Sequence, residues 1–116
     1  MPVTIYHNPR CSKSRETLDL LEARGFESRV VKYLETPPDA ATLETLLAQL
    51  GLAARDLLRT SEPAYKELGL ADASLSDAEL IKAMAAHPEL IQRPIVVANG
   101  KARLGRPPES VLEILD

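Results

Sequence analysis

Residues 3–15 read Val3-Thr4-Ile5-Tyr6-His7-Asn8-Pro9-Arg10-Cys11-Ser12-Lys13-Ser14-Arg15. The first part is β-prone, and a strand is predicted over residues 2–6. Asn8-Pro9 is a turn signal. Leu18, Leu21 and Glu22 then recur at helical spacing, predicting a helix from about Ser12 to Arg24 with Gly25 as its C′ residue. Residues 28–34, SRVVKYL, are rich in β-branched and aromatic side chains and predict a second strand. A strand, a helix and a second strand form a βαβ unit, whose strands are parallel and joined by a right-handed crossover.

This arrangement puts the single cysteine, Cys11, in a strand-to-helix turn beside a helix N-terminus. Unpaired N–H groups and the positive end of the helix dipole favour negative charge there. A thiolate is such a charge, and its pKa falls accordingly. Arg10, Lys13 and Arg15 add positive charge, and Ser12 and Ser14 are candidate N-caps. The same features suit an oxyanion beside the sulfur. The competing reading of a lone cysteine is a small buried hydrophobe.

The chain has 116 residues, enough for one domain with a modest core. Its 45% hydrophobic and 27% charged residues place it among ordinary globular proteins. A net charge of −3 argues against general affinity for nucleic acid. No run of about 18 apolar residues occurs, so no membrane span is expected. The chain enters its first strand without a signal peptide, and a reducing cytoplasm is expected. One cysteine excludes an intrachain disulfide and a cysteine pair for metal binding. If Cys11 is oxidised in turnover, the thiol that restores it comes from another molecule.

From Pro37 the pattern is helical. Thr36-Pro37-Pro38-Asp39 reads as a helix start with Thr36 as cap, Pro37 at N1 and Asp39 closing a capping box. Leu43, Leu46, Leu47 and Leu50 follow, and Gly51 ends the run. Short helices are predicted over Ala53–Thr60 and from Ser61-Glu62-Pro63 to about Leu68. Ser76 and Glu79 form a second capping box ahead of Leu80, Ile81 and Met84, and His87-Pro88 stops that helix. Strand character returns at residues 94–98, Asn99-Gly100 is a hairpin turn, and residues 101–104 form the returning strand. Arg106-Pro107-Pro108-Glu109 begins a final helix carrying Val111, Leu112 and Leu115. The order is β-α-β, a helical insertion at about 37–90, then β-β-α. This predicts an α/β, thioredoxin-like fold with a mixed four-stranded sheet, in a single domain spanning residues 1–116.

Three arginines stand out by position: Arg59 near the end of a short insertion helix, Arg93 before Pro94, and Arg106 before Pro107. A residue before proline is held extended, which fixes where its side chain emerges. In a thioredoxin-like sheet Pro94 would be the cis-proline facing Cys11, with Arg93 beside the sulfur. The alternative for each arginine is a solvated or salt-bridged surface residue. His7 either tunes the Cys11 thiolate or is a satisfied strand-end histidine. Tyr6 and Tyr33 read as core or core-edge packing. A low-molecular-weight phosphatase loop needs arginine six positions after its cysteine; position 17 is threonine, so that enzyme is excluded.

HNPRCSKSRETL at residues 7–18 and QRPIVVANGKARLGRPPESVLEIL at residues 92–115 together resemble the glutaredoxin-coupled arsenate reductase family, in particular its small proteobacterial members with CSKS after the HNPR turn. The resemblance covers nearly the whole chain, including the insertion. It implies one arsenate-reductase-like domain in which Cys11 is the nucleophile and Arg59, Arg93 and Arg106 act with it on the oxyanion. It implies substrate binding by His7, Asn8, Ser12, Lys13, Ser14 and Arg15. Members usually carry Gly-Thr where this chain has Ser12-Lys13. The implied partners are arsenate or a similar oxyanion, glutathione as co-substrate and glutaredoxin, with no bound cofactor or metal, in a cytoplasmic monomer that binds neither nucleic acid nor membrane. Two alternatives remain: a redox-responsive regulator of RNA polymerase, which usually needs a second cysteine where this chain has Ser14, and a glutathione-linked thiol enzyme with another substrate.

Overall fold

Period-two burial along the first strand sets the layers of the fold. In the computed structural model, which describes residues 2–115, the strands are β1 Val3–His7, β2 Ser28–Lys32, β3 Ile95–Ala98 and β4 Lys101–Leu104. The α-helices are α1 Ser12–Ala23, α2 Ala40–Leu50, α3 Pro63–Glu67 and α4 Asp77–Ala86, and 3-10 segments span Ala54–Leu57, Pro88–Leu90 and Pro108–Ile114. Contacts divide the chain into two compact units. One takes in the chain up to Thr36 and from Arg93 onward; the other is Pro37–Gln92.

The first unit carries a four-stranded sheet in the order β2-β1-β3-β4. β1 runs parallel to β2, from Val3 opposite Ser28 to His7 opposite Lys32. It runs antiparallel to β3, with Tyr6 opposite Ile95, and β3 pairs antiparallel with β4. Asn99 and Gly100 turn that hairpin with φ of 56° and 74°. Two consecutive positive φ values match the right-handed strand twist, and Asn-Gly tolerates them best. This is the α/β, thioredoxin-like arrangement expected from the sequence. Val3, Ile5, Val96 and Ala98 project from one sheet face into a core with Leu21 of α1 and Val111, Ile114 and Leu115 at the C-terminal end. Burying each large aliphatic side chain contributes about 1.5–3 kcal/mol.

In the second unit Leu43, Leu46 and Leu47 of α2 and Leu80, Ile81 and Met84 of α4 are buried, and the two helices pack together. The Ser76–Glu79 capping box forms as expected. α2 starts later than expected: Asp39, not Thr36, is its N-cap, accepting from the Thr42 N–H at 2.8 Å. The cause is the Pro37-Pro38 pair. A residue before proline is steered out of the helical region, so Pro37 cannot be N1. The same effect acts at the C-terminus, where Pro107 stays extended and the following segment, Pro108–Ile114, is 3-10 rather than α-helical. The helix expected over Ala53–Thr60 is only the 3-10 segment Ala54–Leu57; Leu58 forms an isolated antiparallel bridge with Ile91, leaving Arg59 beyond the helix.

Gly105 follows β4 in a crowded place. Its N–H donates to the Pro94 carbonyl at 2.9 Å. A Cβ there would lie 2.7 Å from Pro94 Cγ and collide with the Thr17 side chain. Glycine thus lets the chain leaving β4 close on the Pro94 turn and the first turns of α1. Gly105→Ala is expected to destabilise the protein by about 1–3 kcal/mol, the usual range for an overpacked site. Denaturant unfolding measures this, and an unchanged midpoint would contradict the close approach.

Candidate active site

The site begins where β1 stops. Asn8 Oδ1 accepts from the Arg10 N–H at 3.0 Å, and the Asn8 carbonyl accepts from the Cys11 N–H at 3.0 Å. These bonds close a tight turn around Pro9. Cys11 is left in extended conformation (φ −95°, ψ 122°) as the N-cap of α1, with no side-chain cap hydrogen bond. Its carbonyl accepts the first helical bond, from the Arg15 N–H. The Ser14 and Lys13 N–H groups of the first turn lie toward the sulfur and favour its anionic form, without a side-chain cap bond.

Ser12 and Ser14 therefore do not cap the helix. Ser14 is fully buried, and its Oγ accepts from the Asn8 N–H at 3.0 Å and lies 2.7 Å from His7 Nδ1. It faces the strand because the third residue of a helix points back toward the preceding segment. His7 and Asn8 are themselves buried. The pKa of His7 is lowered by burial first, then by Lys32 and Arg15. His7, Asn8 and Ser14 thus form a hydrogen-bonded floor beneath the turn.

The cations around the turn divide into two groups. Arg15 Nη1 donates to the Pro9 carbonyl at 2.9 Å, bracing the turn. Lys13 Nζ lies 3.6 Å from Glu16 in an exposed pair, which contributes about 0–1 kcal/mol. Arg10 is exposed. Arg93 and Arg106 instead reach the sulfur. Arg93 donates a side-chain hydrogen bond to Cys11, and its peptide bond to Pro94 is cis, as expected. Arg106 Nη2 lies 3.9 Å from Cys11 Sγ, while its Nε donates to the Arg93 carbonyl at 2.8 Å. The Arg106–Pro107 bond is also cis, which no sequence signal announced. Arg59 belongs to the other unit, where its N–H donates to the Leu90 carbonyl and its Nε lies 3.4 Å from Glu62.

Cys11 is half-buried. Burial pushes its thiol pKa up; the Ser14 N–H, the Arg93 side chain and charge, and the Lys13 N–H pull it down and win, leaving it below the ordinary value. The pKa of Arg93 is lowered by burial but raised more by Cys11 and Tyr33, so its charge is secure. A stabilised thiolate beside two guanidinium groups can attack an electrophilic centre whose ligands are anionic oxygens. Among the described residues no three His, Cys, Asp or Glu side chains cluster as a metal site, and no helix is long and apolar enough to cross a membrane.

The ArsC family model matches residues 6–114. The chain belongs to the ArsC family. It is 53% identical over 114 residues to an arsenate reductase of Neisseria meningitidis, covering 97% of each chain. It is 67% identical to the uncharacterized Escherichia coli protein YfgD, over 97% of this chain and 96% of that one. Among solved structures, an arsenate reductase from Vibrio cholerae superposes with a TM-score of 0.97 at 61% identity, covering 99% of this chain and 98% of the other. The ArsC match spans both the cysteine turn and the Arg93-Pro94 strand start.

The lowered His7 pKa has a sign for stability. Its folded value lies below the unfolded value of 6.5, so its contribution is complete above pH 6.5 and is lost as pH falls through the folded value. An NMR titration is expected to place the His7 midpoint below 6.5, and His7→Gln is expected to flatten the fall in unfolding free energy over that window. A midpoint at or above 6.5 would contradict the buried setting.

Proposed function

We propose that this protein is a glutaredoxin-coupled arsenate reductase in which the Cys11 thiolate is the nucleophile. The observation that carries the reading is the convergence of Arg93, Arg106 and the first-turn N–H groups of α1 on one half-buried sulfur. Arsenate is a tetrahedral oxyanion, and guanidinium forks suit its oxygens. Arg93 and Arg106 neutralise it beside the nucleophile. Arg59, which the family resemblance groups with them, belongs to the second unit. Asn8, His7 and Ser14 hold the turn, and Arg15 braces it. Ser12, Lys13 and Arg10 line its exposed side and complement the dianion.

The reaction balances as follows. The Cys11 thiolate attacks arsenic, and one arsenate oxygen leaves as water after protonation, giving a sulfur–arsenic(V) bond. Glutathione adds its thiol to the same arsenic and a second oxygen leaves as water. The glutaredoxin thiolate then attacks the glutathione sulfur, and the sulfur–arsenic bonding pair returns to arsenic as As(III). Glutaredoxin leaves as a mixed disulfide with glutathione. Water releases arsenite and restores the Cys11 thiol. A chain with one cysteine requires external thiols in this way, and a reducing cytoplasm supplies them. A redox switch at Ser14 is disfavoured, because that side chain is a buried hydroxyl already engaged by His7 and Asn8.

The test is NADPH consumption with arsenate, glutathione, glutaredoxin and glutathione reductase. Cys11→Ser is expected to reduce turnover to the blank. Arg93→Ala and Arg106→Ala are each expected to lower kcat/KM by about 10²–10³-fold, the usual loss for removing an oxyanion donor. Full activity in Cys11→Ser would overturn the mechanism. Absence of arsenate-dependent turnover, with Cys11 still reactive toward alkylating agents, would overturn arsenate as the substrate.

A further inference from the structure

We propose that the groove between α1 and the segment following Arg106 is the glutathione site, seating the tripeptide along α1 with its thiol turned to the Cys11 end. The inference rests on the reading of the protein as a glutathione-using reductase and names the place where its second thiol binds.

The groove lies wholly within the first unit. It has a volume of about 410 Å³, with Lys13, Glu16 and Leu20 on one wall and Pro107, Pro108 and Glu109 on the other. The three α1 residues recur at i, i+3 and i+7, so they share one face of the helix. The 3-10 segment Pro108–Ile114 packs against α1. Both walls begin near the sulfur. Lys13 is two residues after Cys11, in the first turn of α1. Pro107 follows Arg106, whose Nη2 lies 3.9 Å from Cys11 Sγ. The groove therefore opens beside the reactive atom and leads away from it along the helix.

Its size and lining select the occupant. Small-ligand sites have volumes of about 300–1,000 Å³. From Lys13 to Leu20 is about 10 Å along the helix axis, the span of three extended residues at about 3.3–3.6 Å each. Leu20, Pro107 and Pro108 supply apolar surface; Pro108 is buried, and Leu20 packs against the core. The charges are on the rim, where Lys13, Glu16 and Glu109 are exposed. Glutathione carries two carboxylates and one ammonium on a three-residue frame. Lys13 offers a partner to a carboxylate, and Glu16 and Glu109 offer partners to the ammonium. Without ligand, Lys13 Nζ lies 3.6 Å from Glu16 in an exposed pair, a weak contact that a ligand carboxylate can replace. Glutathione seated this way brings its thiol to the arsenic bonded to Cys11, where the sulfur adds and an arsenic oxygen leaves as water.

The test is an NMR titration of the unaltered protein with S-methylglutathione, whose sulfur can react with neither Cys11 nor arsenic. It needs no arsenate, so its failure leaves the reductase reading to the turnover assay, and failure of that assay leaves the binding result standing. Saturable shifts are expected at the amides of Lys13, Glu16, Leu20 and Glu109, with a dissociation constant of about 1 mM or tighter, within the ordinary range of KM values. S-methylcysteine, which lacks both flanking residues, is expected to bind at least about tenfold more weakly. Lys13→Glu and Glu109→Lys are each expected to weaken S-methylglutathione binding by about three- to tenfold, the loss from reversing one exposed charge contact. Thermal unfolding establishes that the variants fold, and Lys13→Gln and Glu109→Gln replace a reversal that does not. Absence of saturable shifts, shifts confined to residues outside the groove, equal binding of S-methylcysteine, or unchanged affinity in either charge variant would each overturn the proposal.

Discussion

The structure depends on a thiol placed at the start of a helix, where its charge is favoured. The first N–H groups of any α-helix lack partners, and most helices satisfy one with a serine, threonine, asparagine or aspartate side chain. Here Cys11 holds the N-cap position without a side-chain cap bond, and the nearby Ser14 and Lys13 N–H groups pull its pKa down. A neutral thiol is a weak acceptor, whereas a thiolate satisfies these donors as a full charge. The helix start and thiol activation are therefore linked, because the same first-turn N–H groups that favour negative charge lower the pKa of the sulfur.

The rest of the first unit fixes that interaction in place. β1 is central in the sheet, so its C-terminal end is held from both sides. The Ser14 hydroxyl ties the first turn of α1 back to His7 and Asn8, and Arg15 ties it to Pro9. From the other side, Gly105 lets the segment after β4 approach Pro94 and Thr17, which brings Arg106 to Arg93 and to the sulfur. The opposing effects on Cys11 show the result. Half-burial alone would push its pKa up, and the assembled donors reverse the direction. Burial is useful to the chemistry because it strengthens the same donors in a lower dielectric.

Much of this was legible in the residue pattern. The βαβ unit, the helical insertion, the Asn99-Gly100 hairpin and the placement of Pro94 follow from local rules of periodicity and turn chemistry. Errors arose where two local rules competed. At Pro37-Pro38 the first proline was read as a helix opener, but its own successor holds it extended. Ser14 satisfied the rule for a cap, yet helical geometry aims it at the strand, where a buried histidine and backbone N–H await it. Tyr33 was read as packing, and it is buried in the core. What local rules do not carry is tertiary placement. Arg59 shows the same limit: the pattern placed it on a helix, while a single bridge between Leu58 and Ile91 leaves it in a connecting segment.

The central claim is that the fold holds Cys11 as an acidic thiol. Thiolate absorbance near 240 nm, followed against pH with Cys11→Ser as the blank, measures this directly and independently of any substrate. The account predicts a midpoint below the ordinary 9.0 of a cysteine thiol, returning upward in Arg93→Met. A midpoint at or above 9.0 in the unaltered protein would contradict it, because burial would then outweigh the donors gathered at the helix start.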